Sequence, residues 1–169
     1  LTLFPYTTLF RSIYMKKNDE YYMLLALKEA MKAQAIDEVP IGAIIVKNDK
    51  VISRGHNQRE KRNDPTAHAE IIAIRKACKK LGVWRLDGCQ LYVTIEPCSM
   101  CAGTLLWTRI DRIVFGAKDP KGGALGSSYH LFEQKNLNHH PVICGGVLEN
   151  ECGQLVSAFF QNKRLLQSK

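Results

Sequence analysis

Two short motifs in the sequence carry residues that bind soft metal ions. His68 is followed two positions later by Glu70, and further along the chain Cys98 and Cys101 are separated by two residues. One histidine and two cysteines suit zinc, and three protein ligands leave the fourth tetrahedral position open, as in catalytic zinc sites. We predict that His68, Cys98 and Cys101 bind one Zn2+ per chain, and that Glu70 is free to move protons.

The cysteine pair is expected at the start of a helix. Cys98 and Cys101 are three residues apart, so on a helix they share a face. We expect Glu96 and Pro97 to open this helix, which places both cysteines in its first turn. Unpaired N–H groups and the positive end of the helix dipole favour thiolates there.

His68 and Glu70 are expected at the start of a second helix. Inside a helix the two side chains would diverge by about 200°, so they can meet one metal site only at the helix terminus. Asp64 is the expected N-cap and Pro65 the expected first helical residue. The sequence therefore predicts that two helix N-termini point at one zinc ion.

A fourth cysteine would turn the site into a closed structural one. Cys78 lies about 15 Å along the helix from His68 at 1.5 Å per residue. Cys89 lies on the order of 20 Å away, at the far end of a strand. Local geometry does not exclude Cys144 or Cys152 as the fourth ligand. We nevertheless interpret all four of these cysteines as small buried apolar residues.

The remaining pattern predicts an α/β domain with a mixed sheet, because a hairpin is followed by alternating helices and strands. Asp19 is the expected N-cap of the first helix. The predicted elements are a helix to about residue 33, strands at 41–46, 51–54, 90–95, 112–117 and 142–143, the two helices at the metal motifs, and a C-terminal helix striped by Leu148, Cys152, Leu155, Val156 and Phe159.

The first fourteen residues are expected to be a non-native leader. They resemble a translated sequencing adaptor, and Met15 follows them as a start residue. A secretory signal is disfavoured, since no basic region precedes the apolar part and Pro5 interrupts it. We therefore expect residues 15–169 to form a single domain.

Composition narrows the class of protein. The formal charge of +8 favours an anionic partner such as nucleic acid, although a charge of this size also serves solubility. The sequence contains no run of 18 apolar residues, so we predict no membrane span. Six cysteines in 169 residues are too few for a disulfide scaffold, so we expect a reducing, cytoplasmic compartment.

The motifs resemble those of the bacterial tRNA-specific adenosine deaminases, in the cytidine deaminase-like superfamily. The resemblance is carried by NDPTAHAE at 63–70, LYVTIEPCSMCAG at 91–103, residues 39–43 and 115–119, and the helix around Cys152. It implies a three-layer α/β/α sandwich with a mixed five-stranded sheet, and a homodimer. It also implies hydrolytic conversion of adenosine to inosine at the wobble position of a tRNA anticodon.

The same resemblance implies roles for individual residues. His68, Cys98 and Cys101 would bind zinc, while Glu70 would protonate N1 of adenine as water attacks C6 and ammonia leaves. Asn57 would hydrogen-bond the flipped base. The residues expected beside the anticodon stem-loop are Asp119, Lys121, Phe159, Phe160, Lys163 and Arg164.

Two other functions stay open on the sequence. A deaminase of free bases or nucleotides would share the fold and the zinc site, but it would need neither the basic charge nor the aromatic and basic C-terminus. A zinc-stabilised RNA-binding module would share the metal ligands, but it would not need Glu70 or an open metal position.

Overall fold

A computed structural model describes residues 17–168, so the expected leader at 1–14 lies outside the described residues. The elements in chain order are α1 Asp19–Ala35, β1 Gly42–Lys47, β2 Lys50–His56, α2 Arg59–Arg62, α3 Ala69–Leu81, β3 Cys89–Ile95, α4 Ser99–Trp107, β4 Arg112–Ala117, a 3-10 helix Leu131–Glu133, β5 Val142–Cys144 and α5 Glu149–Gln167. Within this range no helix combines the length and apolarity needed to cross a bilayer.

The five strands form one mixed sheet in the order β2-β1-β3-β4-β5. Strand β1 is antiparallel to β2 and to β3, whereas β3, β4 and β5 run parallel. The predicted hairpin and the mixed five-stranded sheet are therefore confirmed. The 3-10 helix and the short α2 were not predicted.

Helices cover both faces of the sheet, which gives the expected α/β/α sandwich. In β1, Ala43 and Ile45 enter one core together with residues of α3 and α4. Ile44 and Val46 enter the other core together with residues of α1 and α5. Since successive side chains of a strand point to opposite faces, this strand, which is apolar up to Val46, is buried on both sides, as predicted.

The N-cap of the first helix lies one residue earlier than predicted. Asn18 is the N-cap, and its side-chain oxygen accepts a hydrogen bond from the Tyr21 N–H at 2.9 Å. Asp19, the predicted cap, is the first helical residue instead. Its carboxylate is already engaged with the Arg112 guanidinium on β4 at 2.6 Å.

The start predicted for the helix at the histidine motif was wrong. The Asp64 carboxylate accepts a hydrogen bond from the Thr66 N–H at 2.8 Å, which closes a turn rather than capping a helix. Helix α3 begins at Ala69, and its N-cap is His68 itself. The helix therefore starts at the metal motif rather than before it.

The helix at the cysteine motif also starts later than predicted. The Glu96 N–H donates to the Ala117 carbonyl at 2.8 Å, so Glu96 continues the pairing of β3 with β4. Helix α4 begins at Ser99 with Cys98 as its N-cap. Cys101 is still in the first turn, as predicted.

A glycine on β2 allows the first turn of α3 to lie against the sheet. A Cβ at Gly55 would fall 2.3 Å from the carbonyl oxygen of Ala69 and 2.8 Å from the backbone nitrogen of Ala73. Neither backbone atom can move without moving α3. The position of His68, which precedes Ala69, therefore depends on the absence of a side chain at Gly55.

We predict that Gly55→Ala pushes the start of α3 away from the sheet. Overpacking of this kind costs about 1–3 kcal/mol of stability. The melting temperature and the zinc content per chain should both fall. Gly103→Ala is the control, since its Cβ would meet nothing within 4 Å. Equal melting temperatures and zinc contents in the two variants would contradict the prediction.

Candidate zinc site and adjoining cavity

The three predicted metal ligands lie together. The Nδ1 atom of His68 is 3.7 Å from Sγ of Cys98 and 3.6 Å from Sγ of Cys101. All three ligand atoms lie within 4.8 Å of one another. A tetrahedral zinc ion with ordinary Zn–N and Zn–S bonds separates nitrogen from sulfur by about 3.6 Å. The donor atoms and their spacing therefore fit zinc.

Two of the ligands are the N-caps of the helices that carry the motifs. The carbonyl of His68 accepts a hydrogen bond from the Ile72 N–H at 3.0 Å, and that of Cys98 accepts from the Ala102 N–H at 2.8 Å. Neither side chain makes a capping hydrogen bond of its own. Both side chains are thus left to face the metal position.

No fourth His, Cys, Asp or Glu joins this group within the part of the chain that the structure describes. Cys152, which the sequence left open as a fourth ligand, belongs to the core on the opposite face of the sheet, and Cys144 packs against that core. Their positions exclude the closed site. All six cysteines lie among the described residues and are free thiols.

The pKa values of the two cysteine thiols are shifted in opposite directions. A hydrogen bond from the Cys101 thiol, aided by the neighbouring His68, lowers the pKa of Cys98 to about 4. The same hydrogen bond, together with burial, raises the pKa of Cys101. A thiolate is therefore already present at neutral pH, which is the form that binds zinc.

Glu70 is a buried carboxyl group beside these ligands. It is the second residue of α3 and only 4% of it is exposed. Burial raises its pKa to about 7, although His68 partly opposes the shift. A carboxyl group with a pKa near neutrality can both accept and release a proton at physiological pH.

Glu70 and His68 line a cavity of about 570 Å³. The lining also includes four of the residues that the family resemblance implicated in substrate binding, namely Asn57, Asp119, Lys121 and Phe160. The structure therefore brings these four predicted residues to the same cavity as the candidate proton shuttle.

Asn57 has a defined orientation at the cavity wall. Its side-chain nitrogen donates to Oε2 of Glu38 at 3.4 Å and to the Val39 carbonyl at 3.3 Å. Its side-chain oxygen accepts from the Arg59 N–H at 3.4 Å. The amide is thus fixed by the backbone and by a second buried side chain.

Three predicted RNA contacts lie outside this lining. Phe159 is buried and packs edge-on against Phe160, with the Lys163 ammonium over its ring. Lys163 also pairs with Asp37. Arg164 is exposed near the end of α5. Roles in RNA binding for Phe159, Lys163 and Arg164 therefore stay predictions.

In one wall of the cavity the sequence predicted Phe160 only, and its three helical neighbours were missed. Helix α5 contributes Gly153, Val156, Ser157 and Phe160. Their spacing is i, i+3, i+4 and i+7, the signature of one helix face. Val156 also belongs to the apolar stripe used to predict the helix, so part of this face was already indicated by the sequence.

Two basic residues of the rim were also missed. Arg59 lies in the unpredicted helix α2, and Lys118 directly follows β4. Both are exposed. Together with Lys121 they place three positive charges around the opening.

Comparison with known proteins places the zinc site in a defined family. Residues 16–117 match the family described as the cytidine and deoxycytidylate deaminase zinc-binding region. The tRNA-specific adenosine deaminase of Bacillus subtilis is 51% identical over 146 residues, which cover 86% of this chain and 91% of that protein.

Solved structures of deaminases are also similar to this chain. A structure from work on A-to-I editing by tRNA:A34 deaminases at the wobble position of transfer RNA superposes with a TM-score of 0.77 and 48% identity, covering 80% of this chain and 98% of the other. A guanine deaminase from Bacillus subtilis superposes with a TM-score of 0.59 and 39% identity, covering 72% and 77%. The chain belongs to the zinc-binding cytidine and deoxycytidylate deaminase family and, within it, to the tRNA-specific adenosine deaminases.

Proposed function

We propose that this protein is a zinc-dependent hydrolase that converts adenosine to inosine at the wobble position of a tRNA anticodon. One observation carries the proposal. A buried carboxyl group, Glu70, lines the same cavity as His68, one of the three ligands of the zinc site. An open metal position with an adjacent proton shuttle is the arrangement that hydrolytic deamination requires.

In the proposed mechanism His68, Cys98 and Cys101 hold the zinc ion. When bound there, zinc supplies Lewis-acid activation of water. Glu70 accepts a proton as the water oxygen bonds to C6 of adenine, and it delivers that proton to N1. Glu70 then carries the remaining hydroxyl proton to the exocyclic nitrogen, and cleavage of the bond between C6 and that nitrogen releases ammonia and leaves the C6 carbonyl of inosine.

The rest of the cavity suits a base extruded from a nucleic acid. We propose that the fixed Asn57 amide hydrogen-bonds the base edge. Arg59, Lys118 and Lys121 lie exposed at the rim, where they can contact phosphates. Phe160 is 44% exposed at the same rim, so its ring is available for stacking.

The two competing functions account for less of the structure. A free-base deaminase would use the same zinc site and Glu70, and the similarity to a guanine deaminase structure favours this alternative. It does not explain the basic rim, and the guanine deaminase structure is less similar than the tRNA:A34 deaminase structure, with a TM-score of 0.59 and 39% identity against 0.77 and 48%. An RNA-binding module without chemistry leaves a buried carboxyl group beside the metal unexplained.

We further propose that residues 15–169 form one catalytic domain, that residues 1–14 are dispensable, and that the enzyme is a cytoplasmic homodimer. The small number of cysteines, two of them in the metal motif, supports a reducing compartment. The homodimer rests on the family resemblance.

The function is tested with an RNA anticodon stem-loop that carries adenosine at the wobble position. We expect a mass gain of about one dalton, from replacement of an amine by an oxygen. We also expect turnover at low substrate concentration to fall steeply with salt, because phosphate contacts displace counterions. Deamination of free guanine or adenosine that is salt-insensitive, with no change in the RNA, would contradict the proposal.

The role of Glu70 is tested with Glu70→Gln. The amide keeps the size of the side chain but cannot transfer the proton, so we expect at least about a hundredfold loss of turnover. Zinc content should be unchanged. The matched control is Glu20→Gln, since Glu20 is exposed at the start of α1. Turnover equal to that of the control would assign Glu70 a structural role.

A further inference from the structure

A second buried carboxylate lies near the site, and the mechanism above does not use it. Glu96 stands between the end of β3 and the metal ligand Cys98, and only 3% of it is exposed. A buried carboxylate is costly unless it is hydrogen-bonded or paired. Its partners should therefore show what it does.

All four hydrogen bonds to this carboxylate come from one loop, residues 119–127. Oε1 accepts from the Leu125 N–H at 2.9 Å and from the Ser127 N–H at 3.1 Å. Oε2 accepts from the Asp119 N–H at 3.2 Å and from the Ser127 hydroxyl. One side chain thus joins both ends of the 119–127 loop.

The loop is closely fitted around the carboxylate. A Cβ at Gly123 would fall 2.4 Å from the carboxyl carbon of Glu96, so no larger residue fits there without displacing the side chain. The Ala124 N–H donates to the Pro97 carbonyl at 2.8 Å. The middle of the loop is therefore tied to the segment that leads into Cys98.

The near end of the same loop forms part of the cavity wall. Asp119, Pro120 and Lys121 all line the cavity beside Glu70. The Asp119 side chain accepts from the Lys121 N–H at 3.0 Å, so the two residues are held in one turn. What fixes the Asp119 backbone therefore also fixes the Lys121 backbone.

We propose that Glu96 is a positioning residue for substrate: by binding both ends of the 119–127 loop, its carboxylate holds Asp119 and Lys121 at the wall of the cavity. The proposal deepens the proposed function and rests on it. The hydrogen bonds of the Glu96 carboxylate go to Asp119, Leu125 and Ser127 rather than to the metal ligands or Glu70. Its loss should therefore weaken binding of the RNA strand beside the base more than it slows the chemical step.

The test compares Glu96→Gln with the wild-type zinc enzyme. The amide keeps the volume of the side chain but replaces one acceptor oxygen with a donor, which leaves at least one loop N–H without a partner. We expect faster hydrogen exchange in residues 119–127 with unchanged exchange in α3. KM for the anticodon stem-loop should rise about tenfold, since a lost charged hydrogen bond is worth roughly that factor. The kcat value and zinc content should stay within about twofold of wild type.

Two further variants sharpen the result. Ser127→Ala removes one donor and leaves the carboxylate in place, so it should raise KM in the same direction by a smaller factor. Glu133→Gln is the matched control, because Glu133 is exposed on the 3-10 helix and should change nothing. Ser127→Ala is milder than removal of the buried carboxylate, so it keeps the test valid if Glu96→Gln folds poorly.

Three outcomes would overturn the inference. One is unchanged loop exchange in Glu96→Gln. Another is unchanged KM in both Glu96→Gln and Ser127→Ala. The third is loss of zinc with an equal fall in kcat and kcat/KM, which would make Glu96 a support for Cys98 alone. Failure of the proposed function is distinguishable, because wild type would then leave the stem-loop unchanged while the exchange measurement would still report on the loop.

Discussion

The site depends on one geometric constraint, the convergence of two helix N-termini on a single point. His68 and Cys98 are both N-caps, so the backbone of each starts a helix while its side chain is left to face the metal. Sheet pairing fixes where those helices begin. The close packing of α3 against Gly55 and the extension of the β3–β4 pairing through Glu96 set the two starting points. Three ligand atoms then meet at zinc spacing.

This convergence also explains how the site tolerates its negative charges. Each helix N-terminus presents unpaired N–H groups and the positive end of a dipole, which favour anions. Two cysteine sulfurs and the Glu70 carboxyl group lie there, where burial alone would favour their neutral forms. Zinc with two thiolates and a neutral histidine has no net formal charge. A carboxyl group is therefore needed to move protons that such a weakly acidifying metal site would not release unaided.

The substrate side of the cavity is built from separate parts of the chain. Helix α5 supplies one wall through a face that adjoins its buried stripe, and the 119–127 loop supplies another. The loop has little regular secondary structure, so its shape comes from the hydrogen bonds it makes. Glu96 provides four of them, which links the segment before Cys98 to the residues proposed to contact RNA.

The sequence was sufficient for the metal site and for most of the sheet. Ligand type and spacing identified His68, Cys98 and Cys101, and the apolar β-branched runs located the strands. The helix starts were less predictable, because Asp64 has the residue type of an N-cap but uses its carboxylate in a turn with Thr66.

Tertiary contacts were harder to predict than local structure. The buried environment of Glu96 depends on a loop that follows a different strand, so no local pattern indicated it. Helix α2 is only four residues long and has no buried residue, which leaves no apolar period to detect.

The most direct test of the account is X-ray absorption spectroscopy at the zinc edge of the purified zinc-loaded protein. We expect a first shell of two sulfur atoms at about 2.3 Å and two lighter atoms, the His68 nitrogen and one oxygen from solvent, at about 2.0–2.1 Å. A shell with three or four sulfur atoms, or with no solvent oxygen, would show a closed structural site and contradict the catalytic account.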